Sequence, residues 1–192
     1  MILPVARTLV ATDIFGITPE AVRLAGRLCP DPLLISAHED PGLHFQSEAL
    51  AYERFLAGGG VEAYARRLLL RLEREPGIAN LVGFSAGASA GWIAAASPAA
   101  RELRQAVLFY GSRIREHVAL RPLCPVRLVF AEHEASFSPA GLVQDLVAQG
   151  VRAELVPGSR HGFMNELSAG FFEPLRERFV EELAPILAAQ AD

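Results

Sequence analysis

Leu81-Val82-Gly83-Phe84-Ser85-Ala86-Gly87-Ala88 has the form Gly-x-Ser-x-Gly and joins two segments of different character. The apolar run 78–82 before it predicts a buried strand, and the small residues of 86–96 after it predict a helix. A serine held in a sharp turn between a strand and a helix is strained, and glycines two positions before and after it leave room for that turn. The stretch therefore predicts a turn that lifts the Ser85 hydroxyl above the end of a sheet.

Strand-like and helix-like segments alternate along almost all of the 192 residues. The strand-like segments are apolar from end to end, as is typical of parallel strands that are covered on both faces. They are 5–12, 32–36, 78–82, 106–110, 126–131 and 151–156. We therefore predict a single α/β domain, residues 1–192, with a mainly parallel sheet of about six strands and helices on both faces.

The bulk composition excludes several classes of protein. The net charge is −4 and there is no basic run, so we expect neither a nucleic-acid partner nor binding to a membrane surface. No apolar run approaches the roughly 20 residues that span a bilayer. Cys29 and Cys124 show no disulfide or metal-binding spacing, and the N-terminus lacks the pattern of a signal peptide. These features predict a cytoplasmic protein without a metal or other cofactor.

Three reactive side chains follow predicted strands in the order serine, acid, histidine. Ser85 follows 78–82, Glu134 follows 126–131, and His161 follows 151–156. Because parallel strands end at the same edge of a sheet, we expect these groups to meet there. His161 would act as the base that activates Ser85, and Glu134 would orient the imidazole ring. Glu132 lies in the same turn as Glu134 and is the alternative acid.

An oxyanion formed at Ser85 would need backbone N–H donors. The N–H of Ala86 at the start of the helix is one, and the loop 13–16 after the first strand is placed to supply another. His38 and His133 lie near carboxylates, but no pair has the spacing of metal ligands, so we expect no metal site.

Three motifs together resemble those of the dienelactone hydrolase family of α/β hydrolases. They are Asp13-Ile14-Phe15-Gly16-Ile17, Gly83-Phe84-Ser85-Ala86-Gly87 and Gly158-Ser159-Arg160-His161-Gly162-Phe163. The resemblance runs from the first strand nearly to the C-terminus and implies an α/β-hydrolase fold. It also implies that Ile14 and Ala86 supply the N–H groups of the oxyanion hole.

The sequence departs from the pattern of that family at several positions. Ser85 stands where dienelactone hydrolases carry cysteine, Glu134 stands where they usually carry aspartate, and Asp13 stands where they usually carry glutamate. The leading antiparallel strands of the family are missing from the predicted sheet. A trimmed sheet exposes an edge that a second subunit could cover, which favours a homodimer.

Further candidates for gating or substrate binding lie in loops that follow strands. They are Asp13, Phe15 and Arg113, of which Arg113 could hold a substrate carboxylate. Residues 40–60 have a mixed composition and end in three glycines, which predicts a lid-like segment.

We therefore predict a cofactor-independent serine hydrolase that cleaves a small ester, lactone or thioester through an acyl-enzyme intermediate. Two alternatives remain open at this point. One is a binding or regulatory domain that keeps the hydrolase framework without catalysis, and the other is an acyltransferase that uses the same three residues.

Overall fold

The computed structural model describes residues 6–189, which contain six β-strands and six α-helices. The strands are β1 (Arg7–Ala11), β2 (Pro32–Ile35), β3 (Ile78–Phe84), β4 (Gln105–Phe109), β5 (Val126–His133) and β6 (Arg152–Arg160). The helices are α1 (Pro19–Leu28), α2 (Glu48–Ala57), α3 (Gly60–Arg74), α4 (Ala86–Ala95), α5 (Pro139–Ala148) and α6 (Glu173–Ala188). Val5, which we predicted to begin the first strand, and Met1–Pro4, which we examined for a signal peptide, lie outside the described residues.

The six strands form one sheet in the order β2-β1-β3-β4-β5-β6. Every pairing between neighbouring strands is parallel, which confirms the predicted strand number and the predicted kind of sheet. The central strand β3 lies between β1 and β4, with Gly83 opposite Ala11 and Phe84 opposite Phe109. The turn that contains Ser85 is therefore flanked by the carboxyl ends of two other strands.

Helices cover both faces of the sheet, as predicted. On one face, α3, α4 and α5 bury large side chains such as Tyr64, Trp92 and Leu146 against the sheet. On the other face, α1 and α6 bury Leu28 and Phe179. The two faces are apolar because successive residues of each buried strand point to opposite sides.

Local sequence signals account for the ends of most elements. Thr18 caps α1, since its side-chain oxygen accepts the Ala21 N–H at 3.1 Å, and Pro19 opens the helix. The main difference from the sequence prediction is β6, which continues to Arg160 rather than ending at Val156. Its register against β5 shifts between Ala131 and His133.

The shift in register has a physical cause. Gly158 has φ +72°, and its N–H donates to the Glu132 carboxylate at 2.6 Å. The Pro157-Gly158 pair therefore forms an irregularity within the strand rather than a turn that ends it. Among the helices of residues 6–189, none is both long and apolar enough to cross a bilayer.

Candidate active site

The turn at Ser85 is strained and fixed by its neighbours. Ser85 has φ +50° and ψ −109°, a conformation that costs free energy for a residue other than glycine. Its N–H donates to the Phe109 carbonyl oxygen at 2.9 Å, and α4 begins at the next residue. A Cβ at Gly83 would lie 2.7 Å from the Gly87 carbonyl oxygen, and one at Gly87 would lie 2.6 Å from the Thr12 carbonyl oxygen. Only glycine fits at these two positions, because other parts of the backbone approach them so closely.

Ser85 and His161 form a hydrogen-bonded pair at the carboxyl edge of the sheet. Each directly follows the last residue of a strand, Ser85 after β3 and His161 after β6. Ser85 Oγ lies 2.8 Å from His161 Nε2. This distance lets the imidazole accept the serine proton without a rearrangement of the backbone.

Glu134 lies on the other side of the His161 ring, directly after β5. Its Oε1 atom lies 2.8 Å from His161 Nδ1, and its side chain is only 5% exposed. A carboxylate accepts hydrogen bonds, so the proton of the neutral His161 ring lies on Nδ1, where it faces Glu134. Nε2 is then free to accept a hydrogen bond from the Ser85 hydroxyl. Glu132 is instead 44% exposed at its side chain and accepts the Gly158 N–H. The structure thus brings Glu134, and not Glu132, to His161.

The two residues predicted to form an oxyanion hole lie beside Ser85. Ile14 and Ala86 line the same cleft as the Ser85 side chain. Within residues 6–189, neither N–H donates a hydrogen bond. The peptide after Ile14 is fixed at both ends, because His38 Nε2 donates to the Ile14 carbonyl oxygen at 2.7 Å and the Phe15 N–H donates to Asp13 at 3.0 Å. Burial lowers the pKa of His38, which favours the neutral ring.

Asp13 is a buried carboxylate next to this site rather than a surface turn residue. Its Oδ2 accepts from Asn165 Nδ2 at 2.6 Å, and its Oδ1 accepts the Phe15 N–H. Burial raises the pKa of Asp13 to about 6, although both hydrogen bonds and the nearby His161 act in the opposite direction. Sequence reasoning missed Asn165, because it is 152 positions from Asp13 in the chain.

Tyr110 is a second residue that sequence reasoning missed as part of the site. It directly follows β4, has φ +41°, and is fully buried. Its ring packs against the His161 ring at 5.1 Å between centroids and an interplanar angle of 63°. It makes a similar contact with Phe163, so it holds the histidine loop and the end of β4 together. The feature of the sequence that could have indicated Tyr110 is its position directly after a strand.

A front cleft of about 260 Å³ opens above Ser85, His161, Ile14 and Ala86. Helix α2, within the segment 40–60 that we predicted to be lid-like, forms one wall with Glu48, Tyr52 and Phe55. Such a volume accommodates a small ligand.

Arg113 also lines the front cleft, but its guanidinium group is already paired. It donates to both oxygens of Glu116, at 2.9 and 3.1 Å, and to the Tyr52 hydroxyl at 3.0 Å. It therefore connects α2 to the segment after β4. Within residues 6–189, no three His, Cys, Asp or Glu side chains gather in a way that could hold a metal ion.

The sheet order, the strained turn after β3 and the helices on both faces define the α/β-hydrolase fold. Comparison with solved structures agrees with this fold. The "Dienelactone Hydrolase-like Promiscuous Phospotriesterase P91" from metagenomic libraries matches with a TM-score of 0.70 and 16% identity, over 97% of this chain and 87% of that one. A candidate dienelactone hydrolase from Klebsiella pneumoniae subsp. pneumoniae MGH 78578 matches with a TM-score of 0.67 and 20% identity, over 97% and 88% of the two chains. The predicted likeness to dienelactone hydrolases is thus confirmed for the fold.

Comparison of sequences gives one relative without an assigned activity. The uncharacterized protein YczH of Bacillus subtilis (strain 168) is 29% identical over 178 residues, which cover 88% of this chain and 85% of that protein. No family model matches the chain.

Proposed function

We propose that this protein is a serine hydrolase that cleaves a small ester, lactone or thioester. The observation that carries the proposal is the continuous hydrogen-bonded relay from Ser85 Oγ to His161 and on to Glu134, with both contacts at 2.8 Å. A serine hydroxyl is a weak nucleophile near neutral pH, and a base held at this distance removes that limitation. The fold that the chain shares with dienelactone hydrolases supports the proposal.

In the first half of the reaction, Ser85 Oγ attacks the acyl carbon and its proton passes to His161 Nε2. The carbonyl oxygen becomes an oxyanion, which the N–H groups of Ile14 and Ala86 stabilise by hydrogen bonds. Glu134 stabilises the imidazolium that forms. Collapse of the intermediate breaks the bond to the leaving group, which takes the proton from His161. The acyl group is then bound to Ser85.

In the second half, water attacks the acyl carbon as His161 accepts one of its protons. The bond to Ser85 Oγ breaks, His161 returns the proton to the serine, and a carboxylic acid leaves. The front cleft of about 260 Å³ supports a small substrate. The short distance between Ser85 and His161 counts strongly against a domain that has lost catalysis.

The proposal is tested with a set of p-nitrophenyl esters, lactones and acyl thioesters. We expect turnover of at least one of these classes by the unaltered protein. Ser85→Ala should lower kcat by at least about 10³-fold. Ser138 is exposed and does not line the cleft, so Ser138→Ala is the matched control and should keep near-normal activity. Equal activity in Ser85→Ala, or no activity on any substrate class, would contradict the proposal.

A further inference from the structure

A second cavity lies on the opposite face of the sheet from the front cleft. This rear cavity of about 200 Å³ lies on the face covered by α1 and α6. Its walls include Val10, Leu24, Phe84 and Met164, and its lining also includes Asp13 and Tyr110. The rear cavity contains neither Ser85 nor His161 in its lining.

A third, small cavity of about 20 Å³ lies beside the reactive pair, with Ser85 and His161 in its lining. This volume is enough for a single water molecule. The residues that the small cavity and the rear cavity share are Asp13 and Tyr110. These two side chains therefore separate the rear cavity from the space next to Ser85.

Both of these side chains have unused hydrogen-bonding capacity. The Tyr110 hydroxyl is buried and has no hydrogen-bond partner within residues 6–189. Burial raises the pKa of Tyr110 well above its usual value, so the hydroxyl keeps its proton. The Asp13 carboxylate accepts one hydrogen bond at each oxygen, which leaves a further lone pair on each. A buried hydroxyl without a partner is costly unless a bound molecule satisfies it.

The acyl-enzyme leaves two sides from which Ser85 can be reached. Ser85, His161, Ile14 and Ala86 all line the front cleft, so an acyl group on Ser85 with its oxygen at the two N–H groups lies in that cleft. The departed leaving group vacates part of the cleft, which an alcohol can enter. The small cavity provides a separate position for water next to both Ser85 and His161.

We propose that the hydrolytic water reaches the acylated Ser85 from the rear cavity and is passed by Tyr110 and Asp13 into the small cavity. The inference rests on the proposed hydrolase function. In the small cavity the water oxygen attacks the acyl carbon, and one of its protons passes to His161 Nε2. The bond between the acyl carbon and Ser85 Oγ then breaks, and His161 returns the proton to that oxygen. Tyr110 and Asp13 are positioning residues for the water.

The test measures how the acyl-enzyme divides between water and 1-butanol, as the ratio of carboxylic acid to butyl ester among the products. This ratio depends on the second half of the reaction alone, whichever step limits the overall rate. Butanol is too large for a cavity of about 20 Å³ and has to enter through the front cleft. Tyr110→Phe removes only the hydroxyl, and Ala21→Leu fills the rear cavity, which Ala21 lines. The control is Ala140→Leu, the same substitution at an exposed position on α5.

We expect both variants to lower the ratio of acid to butyl ester by about tenfold, because the rate constant for attack by water falls while the rate constant for attack by butanol does not change. Ala140→Leu should leave the ratio unchanged. An unchanged ratio in either folded variant would overturn the rear route. If the unaltered protein forms neither product, or if Ser85→Ala forms both, the proposed function itself fails, so the two failures are distinguishable.

Discussion

His161 Nδ1 and Glu134 Oε1 lie 2.8 Å apart, and the carboxylate side chain is almost completely shielded from solvent. Glu132, only two residues earlier, accepts the Gly158 N–H and is exposed. The shift in register between β5 and β6 separates the two carboxylates in this way. Their roles should therefore differ in function as well as in position.

Glu134→Gln should lower kcat by about 10³-fold with little change in KM. The amide has no charge to stabilise the imidazolium, and it can present an NH₂ group that favours the wrong tautomer of His161. Steady-state kinetics on the best ester measures the effect. Glu132→Gln is the matched control and should retain kcat within about threefold, because Glu132 does not contact His161. A greater loss in Glu132→Gln than in Glu134→Gln would contradict the assignment.

Gly87→Ala should destabilise the protein by several kcal/mol, on the order of 3. The added Cβ would collide with the Ala11 and Thr12 carbonyl groups, which belong to the central part of the sheet. Urea unfolding measures the change. Gly26→Ala on α1 is the control, since its Cβ would meet no atom within 4 Å and alanine favours the helix by about 1 kcal/mol. Equal stability of the two variants would show that the turn does not need this close approach.

Asp13→Asn should change the pH dependence of stability. The pKa of Asp13 is raised to about 6 in the folded protein, above its ordinary value of 3.8, so the folded state binds this proton more tightly than the unfolded chain does. The contribution of this bound proton to the free energy of unfolding is complete below pH 3.8 and is lost as the pH rises through about 6. Asparagine at position 13 does not titrate. The free energy of unfolding of Asp13→Asn, minus that of the unaltered protein, should therefore rise by about 2 to 3 kcal/mol between about pH 4 and about pH 8.

Urea unfolding across this pH range tests the Asp13 prediction. The new amide must face one of the two donors, Asn165 or Phe15, but the cost of that contact is independent of pH. Asp145→Asn, at an exposed position on α5, is the control for the loss of one carboxylate. The prediction is wrong if the difference between Asp13→Asn and the unaltered protein stays constant with pH.

Arg113→Gln should raise KM for neutral and anionic esters by the same factor, about three- to tenfold. The positive charge of Arg113 is neutralised by Glu116, and its contact with Tyr52 holds α2 against the front cleft. Loss of the residue therefore loosens the wall of the cleft rather than removing a free cation. Parallel assays with acetyl and succinyl esters measure the two factors. A selective loss for the succinyl ester would instead support the sequence-based prediction that Arg113 binds a substrate carboxylate.

The placement of the candidate site residues in the fold could be predicted from the sequence, because each follows a strand of a parallel sheet. Ser85, Glu134 and His161 come directly after β3, β5 and β6, and parallel strands end at the same edge. The apolar character of the strands was enough to predict the number of strands and the two covered faces.

Other features depend on geometry that no local pattern expresses. The choice between Glu132 and Glu134 follows from an irregularity between β5 and β6, and the extension of β6 past Val156 has the same origin. Asn165 reaches Asp13 only because the loop after β6 meets the loop after β1. The position of Tyr110 directly after β4 could be predicted, but the contact of its ring with His161 could not, since it requires the strained backbone after β4.

The most direct test of the central claim is covalent labelling with a fluorophosphonate probe, which reacts with an activated serine. The Ser85 relay predicts rapid labelling of the unaltered protein at a single site, and peptide mass spectrometry should locate the adduct on Ser85. Ser85→Ala should show no labelling, and His161→Ala should label at least about 10³-fold more slowly. Equal labelling of the unaltered protein and Ser85→Ala, or no labelling of either folded protein, would contradict the claim that Ser85 is an activated nucleophile.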